Sequence, residues 1–502
     1  MDAVVETASG RVRGASRRGA LVFSGIPYAR AAVGSKRFQP PQLPEPWPGV
    51  RECFEPGQGA PQRSALPRWL QSLAGNPRAT GEDCLSLRVF TPALDARKRP
   101  VLVWIHGGGF VFGTGSAPLY DGTALARDHD LVVVCINYRL GVLGFAQLDS
   151  IAPQGPFASN VGLRDQLAAL AWVRENIAGF GGDPDNVTLF GESAGAMSIG
   201  ALLGSPLARG LFHRAICQSG AAHHSSTREG AARAAHALLR ALELAPAQAE
   251  RLCQLPLDAL IEAQLRAAAS VPAPWGLLPW QPAFGDDVLP EPPLAAIAAG
   301  NARGVSLLLG TNRDEYNLFL LGSAVRKMDE ARLQVVIQRV LGRERTDAAS
   351  ALYGELLPHA PPIARWSLLQ THRVFRAPAE RLAELAVPHS PAVYTYLFTW
   401  SSPLTPRRVG ACHALEVPLV FGTQRAPALR LLYAGAGALG ESMRASWAAF
   451  ARAGKPAHGR WLPHSHGASP YLLGPHDARA LDRFEKARPF WAGCGHGPCE
   501  LE

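Results

Sequence analysis

Short apolar runs recur along the chain and alternate with longer stretches in which apolar residues are spaced as on one face of a helix. The runs are rich in β-branched residues and nearly continuous in hydrophobicity, as in strands that helices cover on both faces. This pattern predicts a mostly parallel sheet with crossover helices. The clearest predicted strands are residues 101–105, 131–136, 187–190, 215–217, 306–309 and 393–398.

A helix and a hairpin are predicted at the edges of these runs. Apolar residues from Leu163 to Ile177 follow a helical spacing, which stops at Gly179 and at the turn of residues 181–184, Gly-Gly-Asp-Pro. The order is therefore helix, turn and strand. The first dozen residues alternate and turn at Ser9-Gly10, which predicts a small antiparallel hairpin before the main sheet.

Two later stretches, residues 227–266 and 327–386, are rich in Ala, Leu, Glu and Arg and are predicted to be helical. No linker separates them from the strands, and no internal repeat is found. We therefore interpret them as insertions around the sheet, roughly 227–300 and 320–390, rather than as a separate domain. The expected architecture is one α/β domain over residues 1–502, with a large central sheet flanked by helices.

Composition narrows the function classes. The 502 residues are 47% hydrophobic and 18% charged, which is typical of a globular protein. The formal net charge is +9, but the basic residues form no long cluster, so we expect no nucleic-acid partner. No apolar run approaches the roughly 20 residues of a membrane span, and the N-terminus lacks the features of a secretory signal. The sequence predicts a cytoplasmic protein without a membrane partner, and it leaves monomer and dimer open.

The eight cysteines are too sparse for a disulfide scaffold, and we expect most to be reduced. Cys135 and Cys217 lie in strand-like runs, where a buried thiol is the simplest interpretation. The tail of residues 494–499, Cys-Gly-His-Gly-Pro-Cys, offers at most three metal ligands and matches no standard spacing. We therefore predict no metal site and no cofactor.

Residues 191–195, Gly-Glu-Ser-Ala-Gly, are the strongest clue to chemistry. The motif alone is weak, since an ordinary glycine-rich turn also matches it, but here it follows a predicted strand and precedes a helix-compatible run. That setting is typical of a nucleophile elbow, in which a tight turn exposes the serine hydroxyl at the end of a strand. The glycines are needed because a Cβ two residues on either side of the serine would clash.

A second motif, residues 106–110, His-Gly-Gly-Gly-Phe, follows the strand at 101–105. Consecutive glycines leave backbone N–H groups free to point into a cavity and stabilise an oxyanion, where one donor is worth about 2.7 to 4 kcal/mol. A phosphate-binding loop fits poorly, because no Gly-Lys-Ser or Gly-Lys-Thr follows. We interpret His106 as a structural residue at the loop entrance.

A serine nucleophile needs a histidine base and an acid that orients it, in the chain order Ser, acid, His for this type of fold. Glu315 follows the strand at 306–309, and His413 follows the strand at 393–398, so both lie at strand ends where α/β sheets keep their sites. Position alone leaves Asp314 open as the acid and the other histidines open as the base.

The chain resembles the type-B carboxylesterases, a branch of the α/β-hydrolase fold that includes bacterial para-nitrobenzyl esterases and is related to the cholinesterases. The resemblance runs almost end to end, and its motifs occur in the family's order. Besides the glycine loop, they are residues 23–29 (Phe-Ser-Gly-Ile-Pro-Tyr-Ala), 82–85 (Glu-Asp-Cys-Leu), 137–141 (Asn-Tyr-Arg-Leu-Gly), 180–195, 218–220 (Gln-Ser-Gly), 310–315 and 413–422.

The resemblance implies a role for each residue of the site. Ser193 would be the nucleophile, Glu315 the orienting acid and His413 the general base. The N–H groups of the oxyanion hole would come from Gly108, Gly109 and Ala194, and buried polar support from Glu192, Ser219 and Glu416. The implied activity is hydrolysis of small carboxylic esters through an acyl-enzyme, with a preference for uncharged, moderately apolar substrates.

Departures from the family limit what the resemblance implies. Ala60 stands where secreted relatives have a cysteine before Pro61-Gln62, so we do not expect Cys84 to pair with Cys53. Tyr316 replaces the usual glycine after the acid, which predicts a different loop there. Trp69 is off register for a choline site, so choline esters are not predicted.

Three other functions stay open: an amide or lactone hydrolase, a hydrolase of a specialised large ester, and a non-catalytic binding protein on the same fold. Apolar residues at 272–284, at 318–321 and at Phe421 fit either a substrate pocket or the core.

Overall fold

A computed structural model describes residues 3–63, 79–271, 278–321, 327–405, 409–465 and 468–492. Within these ranges the strands are β1 (Ala3–Thr7), β2 (Gly10–Arg17), β3 (Ala20–Pro27), β4 (Val50–Glu52), β5 (Ser86–Thr91), β6 (Arg99–Ile105), β7 (Val132–Ile136), β8 (Gly182–Glu192), β9 (Arg214–Gln218), β10 (Ser306–Asn312), β11 (Val393–Phe398) and β12 (Tyr471–Leu473).

These strands form one sheet in the order β1-β2-β3-β5-β7-β6-β8-β9-β10-β11-β12, with β4 added beside β2. Neighbours from β7 to β12 are parallel, and those from β1 to β7 are antiparallel. The predicted mostly parallel sheet is confirmed, as are its six clearest strands. The N-terminal hairpin of β1 and β2 is also present, but it continues into the main sheet through pairing of β2 with β3.

One predicted turn is partly wrong. The prediction placed residues 181–184 in a turn before the strand, whereas β8 already begins at Gly182, which pairs with Arg99. The register then shifts, so that the regular pairing resumes at Val187. Gly181 alone has the left-handed backbone of a turn, with φ of 79°.

Helices cover both faces of the sheet, and the two stretches predicted to be helical, 227–266 and 327–386, are mostly helical. The α-helices are α1 (Thr123–His129), α2 (Gly141–Phe145), α3 (Val161–Asn176), α4 (Ala194–Gly204), α5 (Arg228–Ala241), α6 (Leu257–Ser270), α7 (Pro293–Ala298), α8 (Glu330–Leu341), α9 (Arg343–Leu356), α10 (Pro362–Thr371), α11 (Ala377–Ala386), α12 (Val417–Phe421), α13 (Gly437–Ala453) and α14 (Ala478–Ala492). A π-helix, His372–Arg376, joins α10 to α11.

The core lies on both faces of the sheet because successive residues of a strand point to opposite sides. In β6, Val103 and Ile105 pack against one layer of helices with α4, while Leu102 and Trp104 pack against the other with α13. All four side chains are fully buried. Helices α8, α9 and α10 bury a smaller apolar cluster of their own.

Two further predictions concern cysteines and membranes. Cys53 and Cys84 are buried as free thiols, as are Cys135 and Cys217. The tail of residues 494–499 and the side chain of Trp69 lie outside the described residues. None of the helices in the described ranges has the length and apolar content needed to cross a bilayer.

Candidate active site

The carboxyl ends of five neighbouring strands, β6, β8, β9, β10 and β11, meet at one edge of the sheet. Because parallel strands bring their carboxyl ends to the same edge, the loops that follow them converge there. Each of these loops carries at least one of the residues predicted for the site. They are Gly108 and Gly109 after β6, Ser193 after β8, Ser219 after β9, Glu315 after β10, and His413 and Glu416 after β11.

Ser193 lies at the sharp turn between β8 and α4. Its backbone has φ of 55° and ψ of −125°, a conformation that non-glycine residues rarely adopt. A Cβ on Gly191 would lie 2.8 Å from the Ile105 carbonyl oxygen, and a Cβ on Gly195 would overlap the same oxygen. The turn therefore requires both glycines, as predicted, and it leaves the Ser193 side chain partly exposed.

Glu315 and His413 form a buried pair. The Nδ1–H of His413 donates a hydrogen bond to Glu315 Oε2 at 2.7 Å, and the backbone N–H of Asn312 donates to Glu315 Oε1 at 2.6 Å. Glu315 is completely buried at the start of a 3₁₀ helix, Glu315–Leu320. Asp314 instead accepts from the backbone of Ala411 and pairs with its neighbouring arginine. The geometry thus favours Glu315 over Asp314 as the partner of the histidine.

The second ring nitrogen of His413 faces another carboxylate. His413 Nε2 lies 3.0 Å from Oε1 of Glu192, the residue immediately before Ser193. Burial opposes a charge on the imidazole, but the carboxylates of Glu192 and Glu315 outweigh it and hold the pKa of His413 well above 6.5. The site therefore stabilises the protonated imidazole, which is the form that a histidine general base takes after it removes a proton from a serine.

Glu416 belongs to the same polar network. Its carboxylate accepts hydrogen bonds from Gln218 Nε2 at 3.0 Å and from Asn312 Nδ2 at 2.6 Å. Burial, with the nearby carboxylates of Glu192 and Glu315, raises the pKa of Glu416 to about 7. Asn312 links the loop that carries Glu315 to the loop that carries His413 and Glu416, since its backbone binds Glu315 and its side chain binds Glu416. Sequence reasoning missed Asn312.

Ser219 is placed at this edge but makes a different contact from the one expected. Its backbone N–H donates to the Gly310 carbonyl at 2.8 Å, and its φ is 53°. Within the described part of the chain, its buried hydroxyl has no hydrogen-bond partner. Direct support of His413 by Ser219 therefore stays a prediction.

The glycine loop lies against the serine. Gly108 and Gly109 have φ of 112° and 59°, and a Cβ on Gly107 would lie 3.1 Å from Ser193 Cβ. Ala194 is the first residue of α4, so its N–H has no acceptor within the helix. The glycine loop and the first residue of α4 therefore both lie at the serine turn.

His106 has the structural position that the sequence predicted. Its ring stacks on Tyr138 at 4.6 Å between centroids, and its Nδ1 lies 2.8 Å from the Gly107 carbonyl oxygen. Burial lowers the pKa of His106 to about 4, so the ring is neutral at physiological pH.

Two aromatic rings flank His413. The centroids of Phe319 and Phe375 lie 5.2 and 4.9 Å from the imidazole centroid. Phe319 belongs to the predicted apolar stretch, but Phe375 lies on the π-helix and was missed. A π turn places its residues out of step with the helical period of 3.6, so the periodicity gave no signal for it.

The structure also places three other residues that the sequence analysis considered for the pocket or its loops. Tyr316, expected to alter the loop, lies within the 3₁₀ helix, and its N–H donates to Thr371 Oγ1 at 3.1 Å. Leu278 lies beside the glycine loop, where its methyl group would be 3.1 Å from a Cβ on Gly109. Phe421 packs in the core against Trp104 rather than in a pocket. Residues 272–277 lie outside the described ranges.

In the described ranges, no group of three or more His, Cys, Asp or Glu side chains is arranged to hold a metal ion. The site as described offers a hydroxyl, an imidazole, carboxylates and backbone N–H groups. These groups suit proton transfer and nucleophilic attack on a carbonyl carbon.

Comparison with known proteins identifies similar chains. The model of the carboxylesterase family matches residues 1–488. Para-nitrobenzyl esterase of Bacillus subtilis (strain 168) is 40% identical over 459 residues, which cover 90% of each protein. Phenmedipham hydrolase of Pseudarthrobacter oxydans is 34% identical over 509 residues, or 97% of each protein.

Solved structures are similar over the same length. The Geobacillus stearothermophilus carboxylesterase at pH 6.2 superposes with a TM-score of 0.85 at 38% identity, covering 97% of this chain and 100% of that one. A thermophilic PNB esterase superposes with a TM-score of 0.86 at 36% identity and the same coverage. These matches confirm the predicted α/β-hydrolase fold.

Proposed function

Since this chain belongs to the carboxylesterase family and is a carboxylic ester hydrolase, we propose that it cleaves esters through an acyl-enzyme intermediate on Ser193. Ser193 is the nucleophile, His413 is the general base and Glu315 orients the imidazole. Gly108, Gly109 and Ala194 supply the N–H groups of the oxyanion hole. Glu192, Ser219 and Glu416 are the supporting polar residues.

In the first half of the proposed reaction, Ser193 Oγ attacks the ester carbonyl carbon while His413 Nε2 takes the hydroxyl proton. The carbonyl oxygen becomes an oxyanion that the backbone N–H groups stabilise. The tetrahedral intermediate then collapses, the carbon–oxygen bond to the alcohol breaks, and the alcohol leaves with the proton from His413.

In the second half, water repeats the attack on the acyl-enzyme. His413 takes a proton from water, hydroxide adds to the acyl carbonyl, and the bond to Ser193 Oγ breaks as the serine regains its proton. The products are a carboxylic acid and the free enzyme. Throughout both halves, the two oxygens of Glu315 accept hydrogen bonds from Asn312 and His413, so that the imidazole keeps its orientation.

The observation that carries this proposal is the buried bond between Glu315 and His413 at the strand edge that also holds the strained turn of Ser193. A binding protein has no use for a strained serine at the same sheet edge as a histidine whose charge two carboxylates stabilise. For this reason we do not favour the non-catalytic alternative.

Uncharged, moderately apolar esters are the proposed substrates, because Leu278, Phe319 and Phe375 place apolar surface beside the site. We propose that the helical insertions complete this pocket and that residues 1–502 form one domain. Because two relatives are named para-nitrobenzyl esterase and phenmedipham hydrolase, a specialised ester is the second candidate substrate. The same residues and the same proposed mechanism also apply to the hydrolysis of amides and lactones.

The test is hydrolysis of para-nitrophenyl esters from acetate to palmitate by the wild type, Ser193→Ala and His413→Ala. Both variants are expected to lose activity by about 10³-fold or more while remaining folded. The chain length that is turned over fastest measures the acyl pocket. Unchanged activity in Ser193→Ala would contradict the mechanism, and equal turnover of a strongly charged ester would contradict the substrate class.

A further inference from the structure

The glycine loop of residues 107–113 is held at its far end by a side chain from a distant part of the sequence. Gln62 Nε2 donates to the Gly113 carbonyl oxygen at 2.8 Å, and the Gly113 N–H donates to Gln62 Oε1 at 2.8 Å. Gln62 Nε2 also donates to the Ala60 carbonyl oxygen at 3.0 Å. The amide thus binds both polar groups of one peptide residue, as a neighbouring β-strand would.

Gly113 is in direct contact with the start of the same loop. Its φ is 112°, and a Cβ on it would lie 2.6 Å from both the Gly107 carbonyl oxygen and His106 Nδ1. The residue before it, Phe112, donates its N–H to Gly108 and has its carbonyl against the Gly108 Cα. Gly108 is therefore packed against Phe112, the residue that precedes Gly113.

The other anchors of this loop come from the segment after β7. The Tyr138 hydroxyl donates to the His106 carbonyl at 2.8 Å, and the Gly141 N–H donates to the Phe110 carbonyl at 2.6 Å. They hold the beginning and the middle of the loop. Gln62 holds its end, in a loop whose four glycines, and the positive φ of four of its residues, leave the backbone little conformational restriction of its own.

We propose that Gln62 is a positioning residue for the oxyanion hole. By binding Gly113 it fixes the direction in which the N–H groups of Gly108 and Gly109 point toward the acyl oxygen. This inference rests on the proposed function of those N–H groups. Donor direction matters most in the transition state, when charge develops on the oxygen, so the effect belongs to kcat rather than to KM.

Two variants test the role of Gln62. Gln62→Glu keeps the side-chain shape but loses the donor to the Gly113 carbonyl, and Gln62→Met removes both bonds. We expect kcat for para-nitrophenyl butyrate to fall about 10-fold in Gln62→Glu and about 100-fold in Gln62→Met, with KM changed less than about 3-fold. A trifluoromethyl ketone, which forms an oxyanion on the serine, is expected to bind more weakly by the same factors.

The matched control is Gln147→Glu. Gln147 is a buried amide that, like Gln62, binds two polar groups of one residue: its oxygen accepts from the Asn160 N–H and its nitrogen donates to Asn160 Oδ1. It is expected to lose thermal stability without a change in the ratio of ketone affinity to substrate affinity. Both Gln62 variants are compared at equal folded concentration by circular dichroism, so that a folding defect in one leaves the other informative.

The proposal is overturned if both Gln62 variants keep kcat within about 2-fold, or if KM and stability change while ketone affinity does not. Ser193→Ala is measured in the same series. If that variant retains wild-type activity, the proposed function itself fails, and this outcome is distinct from failure of the Gln62 proposal.

Discussion

The turn at Ser193 and the helical wall formed by α10 and the π-helix both border the site, but different forces hold them. At the turn, backbone atoms leave no room for a Cβ at Gly191 or Gly195, so local sterics determine the conformation. The wall is instead joined by side chains to the loop that carries Glu315. Thr371 accepts from the Tyr316 N–H, and Ser367 donates to Asn317 at 2.6 Å.

This contrast separates chemistry from specificity. The groups that react in the proposed mechanism lie at strand ends, and at the serine turn the backbone leaves no room for a Cβ on Gly191 or Gly195. The residues proposed to shape the substrate pocket lie on helices, where one side chain can be replaced without disturbing the sheet. Substitutions at the turn should therefore abolish activity, whereas substitutions in the wall should change which ester is preferred.

The largest expected effect is that of Gly195→Ala. The new Cβ overlaps the Ile105 carbonyl oxygen, so we expect a loss of about 3 kcal/mol or more of stability and no measurable esterase activity. Gly354→Ala in α9 is the control, because nothing lies within 4 Å of the added methyl group. It is expected to raise stability by about 0.5 to 1 kcal/mol. Urea unfolding measures the stability of both variants, and para-nitrophenyl ester hydrolysis measures their activity. An active Gly195→Ala enzyme would contradict the steric requirement for glycine at this turn.

Next in size is Glu315→Gln. This variant keeps a group near His413 Nδ1 but removes the charge that stabilises the imidazolium, so kcat is expected to fall by about 10³ to 10⁴-fold. Asp314→Asn changes the adjacent carboxylate, which binds Ala411 instead, and should cost less than about 10-fold. Steady-state kinetics of the two variants compare them directly. Equal losses would mean that the acid has been assigned to the wrong residue.

A smaller effect is expected in the wall. Phe375→Leu vacates space beside His413, so kcat/KM for short acyl chains should fall about 10-fold while the preferred chain length increases. Phe450→Leu removes a fully buried ring in α13, on the other face of the sheet, and should lower stability without changing the preference. A chain-length profile identical to that of the wild type in Phe375→Leu would show that the ring does not line the pocket.

The smallest effect concerns pH. Because two carboxylates raise the pKa of His413, the base is protonated at low pH and kcat/KM should rise with pH through that pKa. Glu192→Gln removes one of these carboxylates, so the acid limb of the profile should move to lower pH. Glu175→Gln, an exposed site on α3, should leave the limb in place. If the limb stays unmoved in Glu192→Gln, the contact with Nε2 has no influence on the base.

Much of this site could be predicted from the sequence, for a physical reason. The serine turn and the glycine loop are short segments whose sterics are encoded by adjacent residues, so a local motif is enough to find them. Glu315 and His413 could be placed at strand ends because strands produce apolar runs. The choice between Glu315 and Asp314 needed the structure, since only the direction of the side chain distinguishes two neighbouring carboxylates.

Other features leave no local pattern. Gln62 and Gly113 are 51 positions apart, and a single side-chain amide bonded to a backbone produces no periodicity. Phe375 reaches His413 through a π turn, which differs from an α turn by one residue and resembles it in composition. The contact of Glu192 with His413 Nε2 depends on the end of β8 meeting the loop after β11, two segments more than 200 positions apart.

The most direct test of the account is to find where a covalent intermediate forms. The wild type and Ser193→Ala would be treated with a fluorophosphonate, digested and examined by mass spectrometry. The account predicts one phosphonylated peptide in the wild type, modified at Ser193, and no labelled peptide in Ser193→Ala. Stoichiometric labelling at another residue, or equal labelling of Ser193→Ala, would contradict it.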